Sequence, residues 1–242
     1  MAGQGQEAAS ALTPRFTAEE LRRLSAAFEQ RPAQEVLRWA LERFQPDIAL
    51  ACSFGAEDMA VLDMISRIEP ATKVFYLDTE VLFPETYELI ERAARRYSLQ
   101  LLRAAPAVSM ADQARLYGDE LWKLRPDLCC NIRKVQPLTT MLGPLRAWIT
   151  GIRREQAPTR ANGGVVEWDR KFGLVKVNPL ARWTSADVWR YIAENDVPYN
   201  PLHDSGYPSI GCTHCTQPVK PGEHPRAGRW SGSGKIECGL HL

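Results

Sequence analysis

Two short cysteine groups, Cys129-Cys130 and Cys212-Thr-His-Cys215, are the residues of this chain best suited to chemistry. Adjacent cysteines bond to each other only with strain in the peptide between them, but they can present two thiolates to a metal centre. Four thiolates suit zinc or an iron–sulfur cluster. Zinc sites usually draw on two separated C-x-x-C knuckles, so the adjacent pair counts against zinc without removing it. Core thiols would be the plain alternative. Against that, Asp127, Asn131, Arg133 and Lys134 surround one pair, and His214 lies inside the other. Cys52 is the opposite case: it ends the apolar run Ile48-Ala-Leu-Ala-Cys52 and reads as a small buried hydrophobe. The sixth cysteine, Cys238, follows the flexible run Ser231-Gly-Ser-Gly234 and lies between Lys235 and His241. Nearby positive charge favours the thiolate, which is the reactive form. A cysteine beyond a hinge suits a nucleophile that must meet two partners in turn. An incidental cysteine in a disordered tail is the competing explanation.

A second set of residues suits an anion. Ser53-Phe-Gly55-Ala-Glu57-Asp58 follows an apolar strand and opens a helix, where backbone N–H groups can hold a phosphate. A simple strand-to-helix turn would look the same. Leu77-Asp78-Thr79 ends the next strand and is followed by Phe83-Pro84-Glu85-Thr86-Tyr87, a helix start with proline in its first turn. Gly151-Ile-Arg153-Arg154, with Arg160 close behind, stands just after a later strand, and guanidinium forks match phosphate oxygens.

The elements that must carry these groups alternate along the chain. Residues 17–44 show helical apolar spacing broken near Pro32. Ile48–Ser53, Lys73–Asp78, Leu99–Arg103, Ala147–Gly151 and Leu174–Val177 read as strands. Glu57–Ile68, Pro84–Tyr97, Ser109–Trp122 and Ser185–Glu194 read as helices. The fold class expected is α/β: an open, twisted, mainly parallel sheet with helices on both faces and ligand groups after the strand ends. Residues 1–14 read as a disordered N-terminus, 15–230 as one catalytic domain with a loop-rich C-terminal segment, and 231–242 as a mobile tail. Net charge is +1, from 30 basic and 29 acidic residues, which gives no reason to expect nucleic acid or a membrane surface as partner. No run approaches a membrane span and the start is not a secretory signal, so a cytoplasmic protein is expected.

Together, Cys129-Cys130-x-x-Arg133-Lys134, Cys212-x-x-Cys215 and the ending Glu237-Cys238-Gly239-Leu240-His241 resemble the iron–sulfur type of adenylyl-sulfate reductase, from about Ile48 to the C-terminus. The resemblance implies the adenine-nucleotide α-hydrolase-like fold and a 4Fe–4S cluster on Cys129, Cys130, Cys212 and Cys215. It implies Cys238 as nucleophile toward adenosine 5′-phosphosulfate, with thioredoxin supplying electrons. Ser53, Gly55, Asp78, Arg153, Arg160, Arg226 and Arg229 become substrate contacts. Lys134 and His241 join Arg226 and Arg229 as cations around the sulfate. Glu57 and Asp58 are expected to repel a 3′-phosphate and so to favour the substrate without one. Two departures stand out. The Ser53–Asp58 loop lacks the second glycine and final serine of pyrophosphatase-type ATP enzymes, so ATP hydrolysis is not expected. Glu80 stands where the family usually has glycine. The alternatives are the same reaction on 3′-phosphoadenylyl sulfate and a non-catalytic, zinc-binding module that recognises adenosine. A tRNA-thiolating enzyme is a third, disfavoured by the near-neutral charge and the altered loop.

Overall fold

Two-residue alternation in short strands sorts the side chains of the sheet into two cores. In a computed structural model, which describes residues 16–231 and 234–241, Ile48, Leu50, Val74 and Ile149 face one side. Ala49, Phe75 and Trp148 face the other. The expected disordered segment 1–14 lies outside the described residues.

The described residues begin with α1 (Ala18–Phe28), closed by a capping box in which the Thr17 hydroxyl accepts from Glu20 N–H and the Glu20 carboxylate accepts from Thr17 N–H. Helix α2 (Ala33–Phe44) leads into β1 (Ile48–Ala51) and α3 (Ala56–Ile68). Then come β2 (Lys73–Leu77), α4 (Pro84–Arg96) and β3 (Leu101–Ala104). The helix expected over 109–122 is two pieces, α5 (Met110–Tyr117) and the single turn α6 (Leu121–Leu124), because Gly118 takes φ +88° and ends the first. A short α7 (Pro126–Cys130), a π-helical turn (Asn131–Val135) and α8 (Gln136–Leu142) follow as one continuous rod. Strands β4 (Ala147–Ile149), β5 (Val166–Asp169) and β6 (Leu174–Val177) and helix α9 (Ser185–Glu194) complete the domain.

Strand order is β3-β2-β1-β4-β6-β5, with every pairing parallel except β5 against β6. The expected mainly parallel sheet is what forms. Two elements escape the sequence reading. Antiparallel β5 is four residues long and mixes Glu167 and Asp169 with Val166 and Trp168, which suits an edge strand. The 126–142 rod mixes charges, cysteines and prolines, and so carries no clear helical stripe.

Helices α2, α3, α4 and α9 cover the first core. The second is covered by Leu138 and Leu142 of α8 and by Leu240 of the tail. The order reverses between β1 and β4, and ligands of such sheets bind at that crevice, outside the carboxyl ends of the strands.

Candidate active site

A cavity of about 720 Å³ opens at this crevice, and Ser53, Gly55, Lys134, Arg229 and Cys238 all lie on its wall. Arg153, Arg160, Arg226 and His241 line it too, whereas Asp78 does not.

The β1–α3 loop is held by Asp58. Its Oδ2 accepts from Ser53 N–H at 2.7 Å and from the Ser53 hydroxyl, and its Oδ1 accepts from Gly151 N–H at 2.9 Å. Burial pushes its carboxyl up to about 6, against the pull of these donors. The β4 end can approach so closely only because residue 151 is glycine: a Cβ there would stand 2.3 Å from Asp58 Oδ1. Phe54 takes φ +59° to turn the loop. Glu57 accepts from Arg153 Nε and Nη2 at 3.0 and 2.9 Å. The expectation that Glu57 and Asp58 repel a 3′-phosphate is therefore corrected. One acid is turned inward onto backbone donors, and the other is neutralised by a guanidinium.

Arg153 also pairs with Glu155, so its fork is fully engaged by protein carboxylates. Arg154 turns away from the cavity, toward Glu29, just after α1, and the Gly163 carbonyl. Asp78 is a structural hub rather than a cavity group. It accepts from Tyr87 hydroxyl at 2.7 Å, Arg103 Nε at 2.6 Å and Glu80 N–H at 2.8 Å. Its expected role as a substrate contact is not what its geometry offers.

Glu80 takes φ +62°, a left-handed conformation in which glycine is unstrained. Its carboxylate is used nonetheless, accepting from Arg133 Nη1 at 3.1 Å. Arg133, 1% exposed, also donates to Gln113 Oε1 at 2.9 Å, to the Thr79 carbonyl at 3.0 Å and to the Val108 carbonyl at 3.1 Å. It ties the loop after β2 to the cysteine helix. Pro137 lacks an N–H to give Arg133 O, and the ladder just before it widens, with Gln136 N–H donating to Asn131 O. That π turn carries Arg133 and Lys134.

Cys129, Cys130, Cys212 and Cys215 line one small cavity together with Trp122, Lys134 and Trp230. None is in a disulfide. A bridge pairs Leu82 with Cys212, and Thr213 N–H donates to the Val81 carbonyl at 2.9 Å, which sets the Cys-x-x-Cys turn against the loop after β2. Gln113 Nε2 reaches Cys129 Sγ at 4.0 Å, and the Cys212 thiol donates to the Thr79 hydroxyl at 3.3 Å. Burial and mutual crowding push the Cys129 and Cys215 thiols up to about 11. Such thiols ionise readily only beside a strong positive centre. Among the described residues no three His, Cys, Asp or Glu side chains lie close enough to hold a single metal ion. The fit to a cluster rests on the donor set and the shared cavity. Cys52, by contrast, is buried at the end of β1, and burial holds its thiol far above the ordinary range, as expected of a core hydrophobe.

Lys134 lines both cavities and has no ion-pair partner among the described residues. Burial opposes its charge, but the Cys212 and Cys238 sulfurs outweigh it and raise its pKa. Arg229 packs over the Trp230 ring at 4.6 Å and donates to Ser209 Oγ at 3.1 Å. His241 behaves otherwise than expected. It stacks on Trp148 at 5.6 Å, and burial, with Lys176, Arg160 and Arg226 nearby, holds its imidazole well below the usual histidine range. It is neutral near pH 7 and adds no positive charge around a sulfate. Gln113 and Trp148 were not singled out from sequence, and nothing local to them would have done so.

The described part of the tail rests in the cavity wall. Lys235 pairs with Asp127, Lys171 donates to the Gly239 carbonyl, and Leu240 packs into the second core.

Residues 47–218 match the phosphoadenosine phosphosulfate reductase domain. The chain is 49% identical over 225 residues to an adenosine 5′-phosphosulfate reductase of Shouchella clausii strain KSM-K16, with 93% of each protein covered. It is 44% identical over 227 residues to the protein of the same name from Salinibacter ruber strain DSM 13855, covering 93% of this chain and 90% of that one. A phosphoadenylyl-sulfate reductase from Candida auris, solved as a phosphate complex, is 36% identical, with a TM-score of 0.75 over 84% of this chain and 98% of that one. An FMN adenylyltransferase of Candida glabrata shares the fold alone, at 16% identity and a TM-score of 0.57, over 83% of this chain and 72% of that one. No helix among the described residues is long and apolar enough to cross a membrane. By the domain match and by these relatives, the chain belongs to the phosphoadenosine phosphosulfate reductase family.

Proposed function

We propose that this chain is an enzyme that reduces adenosine 5′-phosphosulfate to sulfite and AMP, as part of sulfate assimilation, with a dithiol of the thioredoxin class as reductant. One observation carries it: Cys238 stands on the same cavity wall as the Ser53–Asp58 loop and Lys134. The names of the relatives point to the same substrate.

In the first step the Cys238 thiolate attacks the sulfur of the sulfate. The bond from that sulfur to the bridging oxygen breaks, and AMP leaves with the electron pair. Attack by an anion on an anion is opposed electrostatically, so preorganised positive charge is needed, and one such donor is typically worth about 2.7–4 kcal/mol. Lys134 and Arg229 supply it, since neither is neutralised by a protein carboxylate among the described residues. In the second step a thioredoxin thiolate attacks Cys238 Sγ, and sulfite leaves with the electrons of the broken S–S bond. The second thiol of thioredoxin then resolves the mixed disulfide and frees Cys238. The tail must leave the cavity for this exchange. Chemistry that depends on reduced thiols suits the cytoplasm, and that is the compartment proposed.

Cys129, Cys130, Cys212 and Cys215 would hold a 4Fe–4S cluster, whose bound form supplies a fixed, charged scaffold beside Lys134. With Glu57 and Asp58 committed internally, selection against a 3′-phosphate needs another source, and 3′-phosphoadenylyl sulfate remains the second substrate to test.

Mixing anaerobic protein with substrate, without thioredoxin, tests the scheme. One equivalent of AMP should appear, and the peptide bearing Cys238 should gain one sulfonate group. Reduced thioredoxin should then discharge sulfite. Cys238→Ser should bind substrate and form no adduct; normal turnover by that variant overturns the scheme. The same preparation should hold about four iron and four sulfide per chain. Stoichiometric zinc without sulfide would support the non-catalytic module instead.

A further inference from the structure

The residue before Cys238 is a carboxylate, and it is buried: the Glu237 side chain is 2% exposed. Its Oε1 accepts from Arg160 Nε at 2.8 Å and from the Thr159 hydroxyl at 3.3 Å. Its Oε2 accepts from Arg160 Nη2 at 3.0 Å and from Arg226 Nη2 at 3.1 Å. Arg226 also donates to the Ile236 carbonyl at 2.8 Å, and the remaining Arg160 donor, Nη1, reaches Gln156 Oε1 at 2.6 Å. The two parallel N–H···O bonds from Arg160 are the fork geometry with which a guanidinium binds carboxylate, phosphate or sulfate. In this structure that fork is closed on Glu237. Burial works against the Glu237 carboxylate, yet Arg160 and Arg226 hold it below the usual carboxylate range, so it stays charged and clamped. A buried carboxylate stripped of these partners would be strongly disfavoured, which makes the contact all or nothing.

We propose that Glu237 is a positioning residue, whose carboxylate, clamped by Arg160 and Arg226, docks the tail and holds Cys238 on the cavity wall. The proposal rests on Cys238 as the nucleophile. It divides the basic residues of the cavity into two groups by their partners. Lys134 and Arg229 have no carboxylate partner among the described residues, whereas Arg160 and Arg226 each hold the chain that delivers the thiol. The clamp consists of charge-assisted side-chain hydrogen bonds that involve no strand, so the tail can be released without disturbing the sheet. The second step requires such a release.

Glu237→Gln in the full-length protein removes the charge and keeps the shape, and Glu237→Asp keeps the charge on a shorter arm. Three quantities are read: the rate at which iodoacetamide alkylates Cys238, mapped by peptide mass; the single-turnover rate of AMP release; and AMP affinity. Losing charge-assisted bonds of this kind should shift docking on the order of tenfold. Glu237→Gln should therefore raise Cys238 alkylation and lower AMP release by about that factor, with AMP affinity unchanged. Glu237→Asp should recover part of the protection. Unchanged alkylation and AMP release in Glu237→Gln would overturn the proposal. So would a marked tightening of AMP binding, which would mark Arg160 and Arg226 as nucleotide ligands with which Glu237 competes. If Glu237→Gln exposes Cys238 while Cys238→Ser still turns over normally, the docking role stands and the nucleophile assignment fails.

Discussion

The β1–α3 loop and the C-terminal tail both bring groups to one cavity, yet they are held there by opposite means. The loop hangs on a single buried carboxylate, Asp58, that accepts mostly from backbone N–H groups of Ser53 and Gly151. Its contacts are short-armed and continuous with β1 and β4. The tail is held by long charged side chains: Glu237 with Arg160 and Arg226, and Lys235 with Asp127. A nucleotide site gains from a fixed cradle, because misplacement costs rate steeply. A nucleophile that visits two partners needs contacts that break at modest cost.

The comparison breaks most visibly at Gly151. A Cβ there would meet Asp58 Oδ1 at 2.3 Å and Asp58 N at 2.9 Å, so backbone must move. Gly151→Ala should lower kcat/KM about 100-fold or more, the cost of roughly 1 Å of misplacement, and weaken AMP binding. Kinetics near those of the parent would mean that the loop is as yielding as the tail.

Asp58→Asn is the next largest. Asp58 accepts on both oxygens, so an amide must turn its NH2 toward an N–H donor, a loss of about 1–3 kcal/mol. The effect depends on pH. The folded carboxyl titrates at about 6 against an ordinary 3.8, so the folded state takes up a proton before the unfolded chain does. Its contribution to stability therefore rises as pH falls from about 6 toward 4 and is lost as pH rises through 6. The Tm advantage of the parent over Asp58→Asn should widen from pH 7 to pH 5. A constant gap would mean that Asp58 stays ionised throughout.

The smallest effect lies between the two regions, at Glu80. Glu80→Gly forfeits the ion pair with Arg133 but relieves the left-handed backbone, worth about 1–2 kcal/mol. Glu80→Ala forfeits the pair and keeps the strain. Glycine should be the more stable of the two by about 1 kcal/mol in thermal or urea unfolding. Alanine matching glycine would show that the φ of +62° costs little here.

Much of this was legible in advance. Apolar runs such as Ile48–Ala51 and Lys73–Leu77 mark parallel strands, because strands buried on both faces have little polar content. Thr184 ahead of Ser185 marks a helix start through a local hydrogen bond, and the cap forms with Asp187 N–H on the Thr184 hydroxyl. The edge strand β5 and the rod over 126–142 were not legible, since neither has a strong local period.

Cysteine spacing, the loop after β1 and the C-terminal Glu-Cys-Gly are properties of neighbouring residues, so sequence alone determined which chemistry to expect and which fold must carry it. Charge partnership is different, because any arginine can reach any carboxylate that the fold brings near. Arg160 and Glu237 lie 77 positions apart, and Arg153 and Glu57 96 apart. Only the tertiary structure decided that these arginines close on protein carboxylates while Lys134 and Arg229 do not. His241 is the same case: a terminal histidine reads as a cation until the fold buries it against Trp148 among three positive charges, where keeping its proton costs more than giving it up.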